Sequence, residues 1–431
     1  MRLIINSLIA LSLLTLMLSS VYAQPPTVLW FDGIPLNDIT ISKDGQYVAA
    51  AESGAPTVRF YSQSGDGTPI WTRTISEDTL SVAISADGDC VVVGGELQIH
   101  FWKNARSLTG NPPPTWTSTN LGRIEKRGLD ISDDGNYVAA CGSGESVFYW
   151  ANAKTRSSTS EPVTWNRGFT DSNVECLDLS SDGDYVAAGV KTDVAYWKNA
   201  RSLTGNPDPA WYSTAPGDYI IDIAISDDGD YIAAAGTAGP SPLYYWANAK
   251  TLIEDPVYTW DSAPGVDFNA LDMSSDGDSI FAGGSTTTTE KVYFWTGARS
   301  RAGTINPTWT YTTNNVVDVS MNVWGDLMAA GDNVGNIHYF DNTGDKKWTR
   351  SLGENTVSTS ISGDGGTLAV ATTGSSGWLL DTGFQSSGPT PVGGLTIPIN
   401  KLQIMTPYIA FAITIAALLL ITKKSKSRTL N

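Results

Sequence analysis

Between residues 27 and 384, apolar and polar residues alternate in short runs, and clusters of Gly, Asp, Asn, Ser and Pro separate the runs. A period of two with many β-branched and aromatic residues predicts strands, and no helical period competes with it. One phrase organises these runs: an apolar residue, Ser, any residue, Asp, Gly, then an apolar strand ending in Ala or Gly. It stands at Ile41-Ser42-Lys43-Asp44-Gly45, Ile84-Ser85-Ala86-Asp87-Gly88, Ile131-Ser132-Asp133-Asp134-Gly135 and Leu179-Ser180-Ser181-Asp182-Gly183. It returns at Ile225-Ser226-Asp227-Asp228-Gly229, Met273-Ser274-Ser275-Asp276-Gly277 and Ile361-Ser362-Gly363-Asp364-Gly365. Val319-Ser320 leads a degraded copy that runs through Trp324-Gly325-Asp326. The eight Ser residues are 43, 47, 48, 46, 48, 46 and 42 positions apart.

Each unit holds four strand-like runs. In the third they are Leu129 to Ser132 (strand A), Tyr137 to Ala140 (B), Ser146 to Trp150 (C) and Pro162 to Trp165 (D). A period in the forties with four strands per unit predicts an all-β propeller. The Ser-x-Asp-Gly phrase then joins A to B as a hairpin, with Ser and Asp bonding the turn and Gly taking positive φ. Asp44, Asp87, Asp134, Asp182, Asp228, Asp276 and Asp364 are therefore read as structural turn residues rather than calcium ligands, and no metal site is expected.

Tryptophan decides how the ring closes. Trp71, Trp116, Trp165, Trp211, Trp260, Trp309 and Trp348 mark strand D, but no such Trp follows the eighth phrase. Trp30 sits 12 residues before Ser42, within the internal Trp-to-Ser spacing of 11 to 16. The N-terminal strand should thus supply the last D strand and close the ring. Eight A strands and eight such Trp favour eight blades over seven.

The ends place the chain. Arg2, the apolar run Leu3 to Met17 and Val21-Tyr22-Ala23 read as a signal peptide over 1–23, which leaves a propeller ectodomain over 24–384. Residues 385–403 are rich in Ser, Gly, Pro and Thr and read as a stalk. Residues 404–422 are apolar and uncharged, long enough to span a bilayer as a helix, and Lys423, Lys424, Lys426 and Arg428 follow in a basic tail over 423–431. The expectation is a single-pass cell-membrane protein with its body outside and its C-terminus in the cytoplasm. Arg2 and the four cations of the tail are five of the 27 basic residues, and all 44 acidic ones lie between them, so the body is more acidic than the formal −17 of the chain. Such a surface repels phosphate and excludes a nucleic-acid partner. Cys90, Cys141 and Cys176 are three, with no C-x-x-C spacing, and read as small buried strand residues.

Ile-Ser-x-Asp-Gly-x-Tyr-Val-Ala-Ala resembles WD-type repeats, although the terminal Trp-Asp pair is absent. Asp341-Asn342-Thr343-Gly344-Asp345-Lys346-Lys347-Trp348 is similar to a pyrroloquinoline-quinone-type repeat. The stretch from Pro391 through Lys401 to the basic end resembles C-terminal anchors of archaeal surface proteins. The first two resemblances imply a propeller over about residues 27–384. Quinone enzymes of that type carry a vicinal disulfide over the cofactor; the chain has no Cys-Cys pair, so no cofactor is expected.

Chemistry is sparse. His100 and His338 are the two histidines, both in predicted C strands and neither beside a nucleophile signature. Asp130, Asp178, Asp272 and Asp318 lie two residues before the repeat Ser on inner strands. They are read as blade-junction residues bonding backbone, with a carboxylate-pair hydrolase over the channel as the alternative. The A–B and C–D loops of one face repeat, as in Lys103-Asn104-Ala105-Arg106 and Lys198-Asn199-Ala200-Arg201, while the D–A and B–C loops differ from blade to blade. Loops free of the repeat are where recognition is built. The candidate partner-binding residues are Arg123, Glu125, Lys126, Arg127, Phe169, Asp171, Asp218, Tyr219 and Lys291. The expected function is a non-catalytic recognition or scaffold module for an extracellular protein or glycan. The alternatives are an extracellular hydrolase or quinoprotein-like enzyme and a structural envelope component.

Overall fold

The computed structural model describes residues 26–386, apart from 125, 143–144, 171, 238–242, 264, 287 and 375. The expected signal peptide, the stalk from 387 onward, the span and the basic tail lie outside the described residues. Among the described residues no helix is long and apolar enough to cross a membrane.

Eight antiparallel sheets follow one another, seven of them made of consecutive strands A to D. Blade 3 is typical, with Leu129–Ile131, Tyr137–Gly142, Ser146–Ala151 and Trp165–Gly168. The D strand thus begins at Trp165 and does not end there, which corrects the sequence reading. Pro162 has no N–H for a ladder, and the Thr164 hydroxyl instead accepts the Ala151 N–H at 2.8 Å. The eighth sheet draws on both ends of the chain: Thr27–Asp32 pairs antiparallel with Ser376–Asp381, as the Trp spacing predicts.

Blades stack face to face, so their middle strands are buried on both sides and read as small apolar runs rather than as an alternation. In blade 3, Val138, Ala140 and Trp150 pack on blade 2. Ala139, Tyr149 and Trp165 pack on blade 4. The three cysteines are buried and free in these layers, and burial pushes the Cys90 thiol up to about 12.

Two polar belts tie the ring. On the outside, each strand-D Trp donates its indole N–H to a carbonyl in the C–D connection of the next blade. Trp71, Trp116, Trp165, Trp211 and Trp260 reach Ala105, Ala153, Ala200, Ala249 and Ala298 at 2.9 to 3.0 Å. Trp309 reaches Asn342, Trp348 reaches Thr382 and, across the closure, Trp30 reaches Ser62. On the inside, the variable residue of each turn accepts a backbone N–H from the preceding turn. The chain of bonds runs Asp44 to Ala86, Asp133, Ser181, Asp227, Ser275, Val323, Gly363 and back to Lys43, at 2.8 to 3.3 Å. Both belts have eight members, which fixes eight blades rather than seven.

The seventh repeat is out of the register read from sequence. Asn322, not Ser320, takes the Ser position: its Oδ1 accepts the Leu327 N–H at 3.1 Å, as Ser132 Oγ accepts that of Tyr137 at 3.0 Å. The turn is therefore Asn322-Val323-Trp324-Gly325, and Asp318 lies four residues before its cap.

Candidate functional site

The face made by the A–B and C–D connections is built for structure. In each regular turn the Ser hydroxyl donates to the Asp two residues on, as at Asp44, Asp87, Asp134, Asp182, Asp228, Asp276 and Asp364. At Asp87, Asp182, Asp228 and Asp276 the other carboxylate oxygen faces a cation of the C–D loop of the same blade. Arg106 bridges Asp87 and Asp89, Arg201 bridges Asp182 and Asp184, and Arg299 bridges Asp276 and Asp278, at 3.1 to 3.6 Å. These pairs are exposed and each adds little alone. The C–D loops then run along the outer edge of the preceding blade, where Gly303–Ile305 pairs parallel with Trp260–Ser262.

The channel is lined by carboxylates in two tiers. Asp130, Asp178 and Asp272 lie two residues before the turn cap. Each accepts the next N–H of its own strand on Oδ1 and the matching N–H of the next blade on Oδ2: Leu179, Ile225 and Met321, at 2.7 to 3.0 Å. Asp38, Asp222 and Asp318 lie four before the cap and reach Val82, Leu271 and Thr359 in the same way at 2.7 to 3.0 Å. Ser360 plays this part toward Ile41 at 3.1 Å. The aspartates are thus blade clamps, with both oxygens engaged by backbone except at Asp318, whose Oδ1 faces Lys126 and Arg127 instead. The sequence reading missed Asp38 and Asp222. Their signal was the period of two: residues two apart on a strand share a face.

Among the described residues the junction between blades 2 and 3 has no such clamp. Its D–A connection inserts instead. Arg127, at φ 69, and Lys126 turn into the channel from the D–A face. Arg127 Nε lies 3.1 Å from Asp222 and its NH2 nitrogen 3.6 Å from Asp318; Lys126 Nζ lies 3.3 Å from Asp318. Lys126 also donates to the Val357 carbonyl at 2.6 Å. At the opposite mouth Lys43 crosses from blade 1 to Asp133 at 2.7 Å and Asp227 at 3.3 Å. Behind it lies a polar cavity of about 340 Å³. Burial pushes Asp130 up to about 6 and Asp272 up to about 7. Burial, and then the charge and hydrogen bond of Asp130, hold Asp178 well above the usual range. These three are half-buried and line the cavity, and burial is the first cause of the rise in each.

Of the residues picked from sequence for partner binding, Lys126 and Arg127 are therefore channel residues, a correction that follows from the acidity of the channel. Asp218 is buried and accepts the Tyr244 hydroxyl. Phe169 packs into the layer between blades 3 and 4 under Arg167. Tyr219 is 36% exposed and donates to Glu175; Arg123 is exposed with Glu96 at 3.9 Å; Lys291 is half-buried in Glu290–Thr296. Glu125 and Asp171 lie outside the described residues. The same face presents Leu97 and Val334, 49% and 51% exposed, on B–C hairpins that the sequence reading passed over.

The histidines are tied into loop ends. His100 Nε2 lies 2.9 Å from Glu77, and His338 lies 2.8 Å from Thr313, 3.0 Å from Thr349 and 3.4 Å from Asp332. Among the described residues no group of three His, Cys, Asp or Glu is placed to hold a metal ion.

The geometry defines a β-propeller whose turn face is fixed and whose D–A/B–C face varies. The fold is similar to that of the C-terminal WD40 domain of Sif2, with 12% identity and a TM-score of 0.65 over 84% of this chain and 99% of that one. It is also similar to the computationally designed Ika8 protein, with 11% identity and a TM-score of 0.61 over 82% and 99%. No protein-family model matches the chain, and no curated protein matches it in sequence. The protein has a WD40-like, eight-bladed β-propeller fold.

Proposed function

We propose that the chain is a non-catalytic recognition module that binds a protein partner through its D–A/B–C face and is displayed outside the cell. The observation that carries this reading is the asymmetry of the faces. Turn caps, ion pairs and the turn belt occupy the A–B/C–D side in blade after blade. The other side keeps loops of unlike sequence and exposed Leu97, Tyr219 and Val334. Loops on a rigid scaffold are the usual seat of recognition. The aspartates of the channel are accounted for as blade clamps, because each holds a backbone N–H of the next blade. Display outside the cell rests on the signal-peptide pattern over 1–23 and the apolar stretch over 404–422.

The test is quantitative co-purification from cell-envelope extract with the full-length chain. A partner retained by wild type and by a variant altered at Ile253 and Val257 on the C–D side, but lost when the B–C hairpin Ser285–Lys291 is replaced by Gly-Ser, is the expected result. Loss only with the C–D variant would reverse the assignment of faces.

A further inference from the structure

The charges enclosed by the channel do not balance. At the turn mouth, Asp133 and Asp227 face Lys43. At the other end, Asp222 and Asp318 face Lys126 and Arg127, and Asp38 lies 8% exposed on the same tier. Between them sit Asp130, Asp178 and Asp272, with no cation on their own level: Thr40, Ala83, Ala224, Ser320 and Ser360 fill the equivalent positions. Burial holds the thiol of Cys176, two residues before Asp178, protonated. Among the described residues eight carboxylates are thus gathered around three cations. Asp130 and Asp178 straddle successive junctions, and each is fixed in place by backbone N–H groups. Like charges held this way are relieved by taking up protons.

We propose that the middle tier of the channel binds protons on folding, so that the blade ring is a pH-responsive closure that tightens on mild acidification. The direction is fixed by linkage. A carboxyl group raised in the folded state holds protons that the unfolded chain releases, so stability falls as pH rises through the folded value. With Asp130 at about 6 and Asp272 at about 7, the gain appears on going down through this range and levels off near the unfolded value of about 4. Neutralising the tier leaves the backbone clamps engaged on carboxyl oxygens and removes the repulsion between junctions.

The experiment is thermal unfolding of the full-length chain between about pH 8 and about pH 5, compared with an Asp178→Asn/Asp272→Asn variant. The wild type is expected to gain about 3 °C or more in Tm on acidification, and the variant to show a smaller slope whatever its absolute Tm, the remainder coming from Asp38, Asp130 and Asp222, which burial also raises. Because His100 and His338 stay in both proteins, the difference in slope reports the aspartates. Should the variant fail to fold, potentiometric titration of native and unfolded wild type decides, with the native chain expected to take up more protons over this range. Equal slopes, or equal proton uptake, would overturn the proposal. So would a matching rise at pH 8 on adding magnesium or spermidine alone, which would make a bound cation rather than protons the neutralising species.

Discussion

At the scale of single residues, the strongest constraints lie where a side chain serves two blades at once. Trp165 is fully buried, stacks on Tyr149 and donates to Ala200 of the next blade. Trp165→Phe keeps much of the apolar area but removes the indole donor and leaves the Ala200 carbonyl with only the Leu203 N–H at 3.3 Å. A loss of about 1–3 kcal/mol is expected by denaturant unfolding. Gly183 is held twice: its φ is 74, and a Cβ there would meet the Tyr137 ring at 2.5 Å. Gly183→Ala should therefore cost more than the roughly 1 kcal/mol of an ordinary left-handed glycine, again by denaturant unfolding. Both residues were legible in the sequence because they repeat at a fixed period. Lys126 and Arg127 were misread for the opposite reason. They occur once, in a loop outside the repeat, and their partners Asp222 and Asp318 lie far along the chain and meet them only when the ring forms. Asp318 was assigned to the wrong tier because Ser320 imitates the cap that Asn322 provides.

At the scale of elements, the blade is readable and the connections are less so. Strands B and C of blade 3 emerged nearly where alternation and small-residue runs put them, since burial on both faces leaves a strong apolar signature. Strand D was displaced by one strand length because its Trp serves as its first residue and Pro162 precedes it. The N-terminal strand was recovered from Trp spacing alone. It carries the closure: Thr27–Asp32 covers the edge of Ser376–Asp381 and sends Trp30 to Ser62. Deleting residues 27–32 should open that edge. The expected result is a lower Tm together with concentration-dependent association by light scattering. An unchanged Tm in a monomer would mean that the ring does not depend on this strand.

At the scale of the whole molecule, the repeated structural contacts gather on one face, and recognition is proposed for the other. The side that carries the turn belt and the C–D clamps is committed to holding eight blades in register, and the other is released from that duty. The repeat makes this division visible in sequence, yet it hides which variable residues face solvent: Asp218 is buried and Phe169 half-buried, while Leu97 and Val334 are exposed. The measurement that tests the division most directly is photo-crosslinking of the full-length chain in its native cells. A crosslinker would stand in turn at Leu97 or Val334 on one face and at Ile253 or Val257 on the other, all strongly exposed. Discrete protein adducts from Leu97 or Val334 and none from Ile253 or Val257 are predicted. Adducts confined to Ile253 and Val257 would contradict the account and make the repeated face the one that recognises.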